Sequence, residues 1–250
     1  MIQRFLLITT AGVLIGCAIG CGGQKAAAPI HVLIVTGGHD FERDPFFKMF
    51  DAMEGITWQE VQHPNAAAMF YPEKSGDYDV LVLYDMYQDI TDADKQAFAD
   101  LIKNGKGLVA LHHSIADYNN WPEYEQIIGA RYFLKETVEN GQTIPPSTYN
   151  HDQDINVRVL DPTHPITQGI QDFTIRDETY GGFRVLDTIH PLLETDHPLS
   201  GKTLAWCGNY GEGRTVYIQL GHDHLAYENP NYRQLVLQAI RWVNEGSKGK

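Results

Sequence analysis

The chain has 250 residues, with 19 Lys and Arg against 32 Asp and Glu, and a formal net charge of −13. Such an acidic balance argues against nucleic acid, whose phosphates demand a basic surface, and against a peripheral grip on anionic lipid. Three cysteines make no disulfide framework: Cys17 and Cys21 lie near the amino terminus, and Cys207 alone belongs to the remainder, where it reads as a small buried hydrophobe.

In chain order, Met1 to Arg4 is a short basic start and Phe5 to Ile15 an apolar stretch too short to span a membrane comfortably. This is the pattern of an export signal. Leu14-Ile15-Gly16-Cys17 resembles the lipobox of bacterial lipoproteins, in which the cysteine is acylated after cleavage, and Ala18-Ile19-Gly20-Cys21 is a weaker second copy. An uncleaved anchor is the alternative, although nothing after the apolar stretch resembles a stop-transfer pattern. Gly22 to Pro29 reads as a flexible tether. Residues 1–29 are therefore expected to be signal and tether, and 30–246 a folded domain held at the membrane by lipid on Cys17 or Cys21, in the periplasm or at the cell surface. Loss of Arg4 with the signal takes the net charge from −13 to −14.

The first half of the domain alternates strand and helix. His31 to Thr36 is a continuous apolar run of the kind covered on both faces. Pro45 to Met53 has helical apolar spacing, Thr57 to Val61 and Asp79 to Leu83 read as strands, and Leu108 to Leu111 as a fourth. Between the last two, Thr91 is placed to cap a helix through Ile102, with Asp92 and Asp94 at the positive end of its dipole. The order predicts an α/β fold with a mostly parallel, doubly wound sheet. From about Arg131 to Leu199 the rhythm is lost among Pro-containing dipeptides, with short β-like pieces at Ile155 to Leu160 and Phe183 to Leu186; this reads as an insertion walling a crevice. Thr203 to Cys207 and Thr215 to Leu220 then predict a hairpin turning through 209–213, and Tyr232 to Val243 a closing amphipathic helix.

Three histidine signatures follow apolar runs: Gly37-Gly38-His39-Asp40, Leu111-His112-His113-Ser114 and Gly221-His222-Asp223-His224. Loops leaving the carboxyl ends of parallel strands converge on one crevice, so His39, His112 and His222 are expected to share a site. Gly37 and Gly38 permit a close approach of backbone to ligand, and the dinucleotide spacing G-x-G-x-x-G is absent. Glu178, read as lying in a loop of the insertion, supplies a carboxylate. His39, His112, Glu178 and His222 have the atoms of a zinc site with one open position; the metal-free alternative is an imidazole acid–base oriented by Glu178 or Asp223. The residues leave both open. Asp40 is either a helix cap or a ligand contact, His224 a support for His222, and His112 is favoured over His113 for chemistry. His31 and His63 read as solvated surface, and His151, His164, His190 and His197 as local backbone partners. Tyr118, Trp121, Tyr124, Tyr180 and Tyr227 border the signatures, where rings either hold a sugar face or fill the seam below the insertion.

Gly-Leu-Val-Ala-Leu-His-His-Ser at 107–114, Asn120-Trp121-Pro122-Glu123-Tyr124, Thr163-His164-Pro165-Ile166, Asp177-Glu178-Thr179-Tyr180 and Gly221-His222 together resemble the ThuA-like family, named for trehalose utilisation. The resemblance runs from His31 to Val243. It implies a flavodoxin-like sheet similar to class I glutamine amidotransferases, with His112 at the turn where those enzymes carry a cysteine and His222 at the position of their histidine. Without a thiol, amidotransferase chemistry has no nucleophile. The resemblance also implies work on disaccharides or keto-sugars, with His112, His222 and Glu178 catalytic and with His39, Asp40, His113, Trp121, Tyr180, Asp223 and His224 touching substrate. A non-catalytic carbohydrate-binding lipoprotein and a metal-dependent hydrolase of another small polar substrate are the rival expectations.

Overall fold

A computed structural model describes residues 28–247, so the signal, the lipobox cysteines and most of the tether lie outside the described residues. In chain order the strands are β1 Ile30–Gly37, β2 Ile56–Gln62, β3 Val80–Asp85, β4 Gly107–Leu111, β5 Ala130–Arg131, β6 Thr137–Glu139, β7 Gln142–Ile144, β8 Thr148–Val159, β9 Phe173–Gly181, β10 Arg184–Val185, β11 His190–Glu194, β12 Thr203–Tyr210 and β13 Gly213–Ile218. The helices are α1 Arg43–Asp51, α2 Pro72–Ser75, α3 Asp92–Lys103, α4 Pro122–Ile128, α5 His224–Tyr227 and α6 Pro230–Ser247, with 3₁₀ turns at Asn65–Phe70 and His112–Ala116. Among the described residues no helix is long and apolar enough to cross a membrane.

One nine-stranded sheet runs β2-β1-β3-β4-β13-β12-β11-β8-β9. Its first five strands are mutually parallel, in the flavodoxin order 2-1-3-4-5. The remaining pairings are antiparallel. Both faces of the parallel half are covered because its apolar runs do not alternate with polar residues. Val32, Ile34, Val80, Val82 and Val109 pack with α1 and α6 through Phe46, Phe50, Leu235 and Ile240. Leu33, Val35, Leu81, Leu83 and Ala110 point the other way, toward Phe98 and Ile102 of α3 and Ile127 of α4, as the two-residue period of a strand requires.

Local chemistry explains most boundaries. Thr91 caps α3 through a reciprocal box, with Asp94 N donating to Thr91 Oγ1 and Thr91 N donating to Asp94 Oδ2, both at 3.2 Å. The hairpin turns through Gly211 and Glu212 alone, because β12 stays paired until Tyr210 faces Gly213. The expected strand at Phe183–Leu186 shrinks to β10, which pairs with β5.

The inserted strands differ more from expectation. Rather than forming a separate wall, β11, β8 and β9 extend the sheet beyond β12. The β8–β9 ribbon also reaches the carboxyl ends of β4 and β13: Asp177 on β9 accepts hydrogen bonds from Gly221 N at 2.7 Å and His222 N at 3.0 Å. Glu178 accordingly stands on a strand, not in a loop.

Candidate active site

His112 is the first residue beyond β4 and adopts φ 50°. A left-handed backbone is uncommon for a residue with a side chain and costs about 1–3 kcal/mol, so its neighbours must hold it. They do: Tyr217 Oη donates to the His112 carbonyl at 2.8 Å, and His112 Nδ1 lies 2.7 Å from the Gln219 carbonyl. Because a carbonyl only accepts, that contact puts a proton on Nδ1 and turns Nε2 toward the crevice.

Around Nε2 stand Tyr180 Oη at 2.9 Å, Glu178 Oε2 at 3.1 Å and His222 Nδ1 at 3.3 Å; His222 Nδ1 is 3.5 Å from the same Glu178 oxygen. His222 is positioned by Asp177 through its backbone N–H, while Tyr227 Oη donates to its carbonyl at 2.8 Å. Without a cation, burial opposes a charge on His112, yet the bond and charge of Glu178, helped by Asp177, hold its pKa above the ordinary value. Burial and the neighbouring His112 push His222 down. Burial likewise opposes ionisation of Glu178, but His112, His222 and Tyr180 together hold it at about 2. The carboxylate thus favours charge on the His112 ring, while the His222 ring is pushed toward the neutral form. Burial raises Asp177 to about 6 even though it accepts three backbone N–H bonds.

The three atoms also suit a cation. Zinc binds nitrogen and oxygen at about 2.0–2.2 Å, so the edge of its tetrahedron is about 3.3 Å, and the observed separations are 3.1, 3.3 and 3.5 Å.

A pocket of about 240 Å³ opens over His112 and Glu178, lined also by His39, His113, Tyr180 and His151. A larger groove of about 470 Å³ at Phe70, Pro72, Ala97 and Leu101 carries no imidazole. His39 is exposed and its ring lies 4.8 Å from that of His113, so it lines the pocket beside the His112–Glu178–His222 group rather than within it. His113 is 2% exposed, and Nε2 has no hydrogen-bond partner. Burial, then the neighbouring His112 and His39, push its pKa well below the usual value, which leaves a neutral ring with an unused polar atom.

Other expected contacts lie elsewhere. Trp121 packs in the seam against Phe98, Tyr118 and Tyr124 and does not line the pocket. Tyr227 is fully buried behind the site, bonded to Tyr84. Asp223 caps α5 by accepting from Leu225 N, and His224 pairs with Glu42 at 2.8 Å rather than supporting His222. Asp40 is exposed, and the residue at the start of α1 is Glu42. Gly38 does permit a close approach, but to the protein itself: at φ 78°, an added Cβ would sit 1.7 Å from the Met86 carbonyl oxygen. Away from the site, Cys207 is buried with Sγ 3.6 Å from His164 Nε2.

Three residues at the pocket escaped sequence reasoning. His151 Nδ1 lies 3.2 Å from Glu178 Oε1. A β-bulge puts it there: between the pairs Asn150–Thr179 and Gln153–Asp177, two residues of β8 oppose the single residue Glu178 of β9. Tyr87 and Tyr149 line the pocket yet are 55% and 60% exposed. The apolar run of β3 ends at Asp85, two residues before Tyr87, and its carboxyl end was the one available signal for Tyr87.

The family model for ThuA, described as trehalose utilisation, matches residues 31–243. The chain belongs to the ThuA family. Solved structures similar to this ThuA chain include a ThuA-like protein from Parabacteroides merdae ATCC 43184, 19% identical over 89% of this chain and 92% of that one with a TM-score of 0.73. Another, from Bacteroides uniformis ATCC 8492, is 22% identical over 90% and 95% with a TM-score of 0.66. A cytoplasmic protein from Salmonella typhimurium is 14% identical over 85% and 98% with a TM-score of 0.59. These likenesses establish the fold that the ThuA chain shares with them. No curated protein sequence matches it.

Proposed function

We propose that this ThuA-family chain is a carbohydrate-processing enzyme acting on a keto-sugar by metal-assisted acid–base chemistry at His112, Glu178 and His222. The family's association with trehalose utilisation supports the substrate class. One observation carries the chemistry: with Nδ1 committed to the Gln219 carbonyl, His112 turns its other nitrogen toward the Glu178 carboxylate in the pocket and toward a second imidazole, His222, beside it. A divalent cation of the zinc type held by these three would polarise a keto carbonyl and stabilise the enolate formed from it.

The chain's own side chains supply the rest. A keto group acidifies the neighbouring C–H, and His151, with an exposed ring beside Glu178, takes that proton. In an isomerisation the proton is delivered to the former carbonyl carbon while the α-hydroxyl proton passes to the former carbonyl oxygen; in an elimination it goes to the departing oxygen as the glycosidic C–O bond breaks. His113 Nε2 accepts a bond from a sugar hydroxyl, which removes its buried unpaired atom. Tyr87 and Tyr149 offer apolar ring faces to the sugar at the mouth. Export and lipidation at Cys17 or Cys21 belong to the same proposal, supported by the signal-like amino terminus.

The test is metal content and keto-glycoside turnover of the purified chain beside His112→Ala and His222→Ala. Loss of metal together with turnover is expected. Loss of turnover with metal retained would replace coordination by proton transfer, and retention of both would remove these residues from the mechanism.

A further inference from the structure

A second group of ligand-type atoms lies on the same sheet edge, at the ends of β2 and β3. His63 follows β2, Asp85 ends β3, and Asp117 follows the turn after β4; one atom from each lies within 4.8 Å of the others. None is the surface group expected of a His-Pro turn: the His63 side chain is 3% exposed, Asp85 0% and Asp117 1%. His63 Nε2 is 3.0 Å from Asp85 Oδ2 and 3.0 Å from Tyr118 Oη, and Tyr118 Oη is 3.2 Å from that same oxygen. Of the three ligand-type groups, the His63–Asp85 pair at 3.0 Å matches the edge of an octahedron whose ligands stand about 2.1 Å from its centre.

Two further atoms point to a missing partner. Asp85 Oδ1 and Asp117 Oδ2 are buried and accept from no N–H or hydroxyl donor, and the two carboxyl groups lie within hydrogen-bond reach of each other. Among the described residues no lysine or arginine forms an ion pair with either carboxylate, and His63 is the sole pairing partner. Asp85 Oδ2 is met by His63 and Tyr118 and Asp117 Oδ1 by Gln88 N, so burial leaves the second oxygen of each carboxylate uncompensated, at a cost of several kcal/mol per ion. A proton shared between them removes one charge and leaves the other. A divalent cation neutralises both and uses the unpaired oxygens and the imidazole lone pair together.

We propose that His63, Asp85 and Asp117, with Tyr118 beside them, bind one divalent cation separate from the His112 centre. Two carboxylates and one imidazole suit Mn²⁺ better than zinc in a thiolate or all-imidazole site. The cation is structural and braces the segment that carries Tyr87. Gln88 N donates to Asp117 Oδ1 and Met86 N to the Gly37 carbonyl, so Tyr87, at φ 58°, is held between two anchors beside this cluster.

The test starts from the His222→Ala chain, which disables the first centre and keeps the two questions apart. After stripping with a chelator and loading with Mn²⁺ alone, elemental analysis and the EPR signal of Mn²⁺ are expected to show one bound ion per chain. Adding Asp117→Asn or His63→Gln should weaken that binding by more than about 100-fold, beyond the loss typical of an outer-shell partner, with circular dichroism confirming the fold. The His63 variant serves if the Asp117→Asn substitution prevents folding. The proposal is overturned if the His222→Ala chain binds no Mn²⁺, or if the folded double variants bind as the parent does. Wild type holding one ion, retained in His222→Ala, would support this site while contradicting a metal at the first.

Discussion

At the ends of β4 and β13, His112 and Glu178 line an open pocket with His222 beside them; at the ends of β2 and β3, one imidazole and two carboxylates are buried around Tyr118. In the open cluster the far side of each group is pinned by the protein: His112 by the Gln219 carbonyl, His222 by Asp177 and Tyr227, and Glu178 by its strand. One atom of each stays within 3.5 Å of the other two. In the buried cluster one oxygen of each carboxylate has no donor. The two clusters are about equally buried, with the His112 and Glu178 side chains 1% and 6% exposed against 3% and 0% for His63 and Asp85, so what separates them is the 240 Å³ pocket that reaches His112 and Glu178 and not the other group.

The sharpest way to break this contrast is to neutralise one carboxylate in each cluster. Glu178→Gln is expected to cut keto-glycoside turnover by about 10²–10⁴-fold, whereas Asp117→Asn should leave kcat within a few-fold while lowering the melting temperature. Equal effects in steady-state kinetics and thermal unfolding would erase the distinction. Gly38, between the clusters, comes next: Gly38→Ala should cost about 2–4 kcal/mol in denaturant unfolding, from a left-handed backbone and a clash with Met86. Wild-type stability there would mean that the Met86–Gln88 segment is not clamped.

A smaller effect probes the mouth of the open cluster. Tyr149→Ala should raise KM by about 2- to 10-fold with kcat nearly unchanged, the worth of one aromatic contact; a fall in kcat alone would move Tyr149 into the chemistry. The smallest lies outside both clusters, where Arg43 pairs with Glu60. Burial raises the Glu60 pKa, but Arg43, Thr36 and Gln62 outweigh it and hold it below its ordinary 4.5. A depressed carboxylate contributes stability above its unfolded pKa and loses it as pH falls through the folded one. Arg43→Ala should therefore cost about 0.5 kcal/mol near neutrality, a modest value because Arg43 is 44% exposed, and nothing in acid below that point. A pH-independent difference would point to lost packing of Arg43 on Phe41 and Phe47.

The parallel half of the fold was legible because β1, β3 and β4 are unbroken apolar runs and Thr91 with Asp94 writes the start of α3 in side-chain chemistry. Three histidine signatures at strand ends located His112 and His222 for the same reason. The ribbon β8–β9 was not, since Thr148 to Asp154 is polar and mostly exposed and offers no hydrophobic period. His151 was hidden by the bulge, which departs from simple alternation. His63 reads as a turn residue because Pro64 follows it, and single aspartates at 85 and 117 carry no spacing signal; only tertiary structure joins them.

Crystals soaked in zinc and measured at the zinc absorption edge would test the central claim most directly. An anomalous peak about 2.0–2.2 Å from His112 Nε2, His222 Nδ1 and Glu178 Oε2 is the predicted result. Zinc bound only elsewhere, or these three side chains turned away from one another, would contradict it.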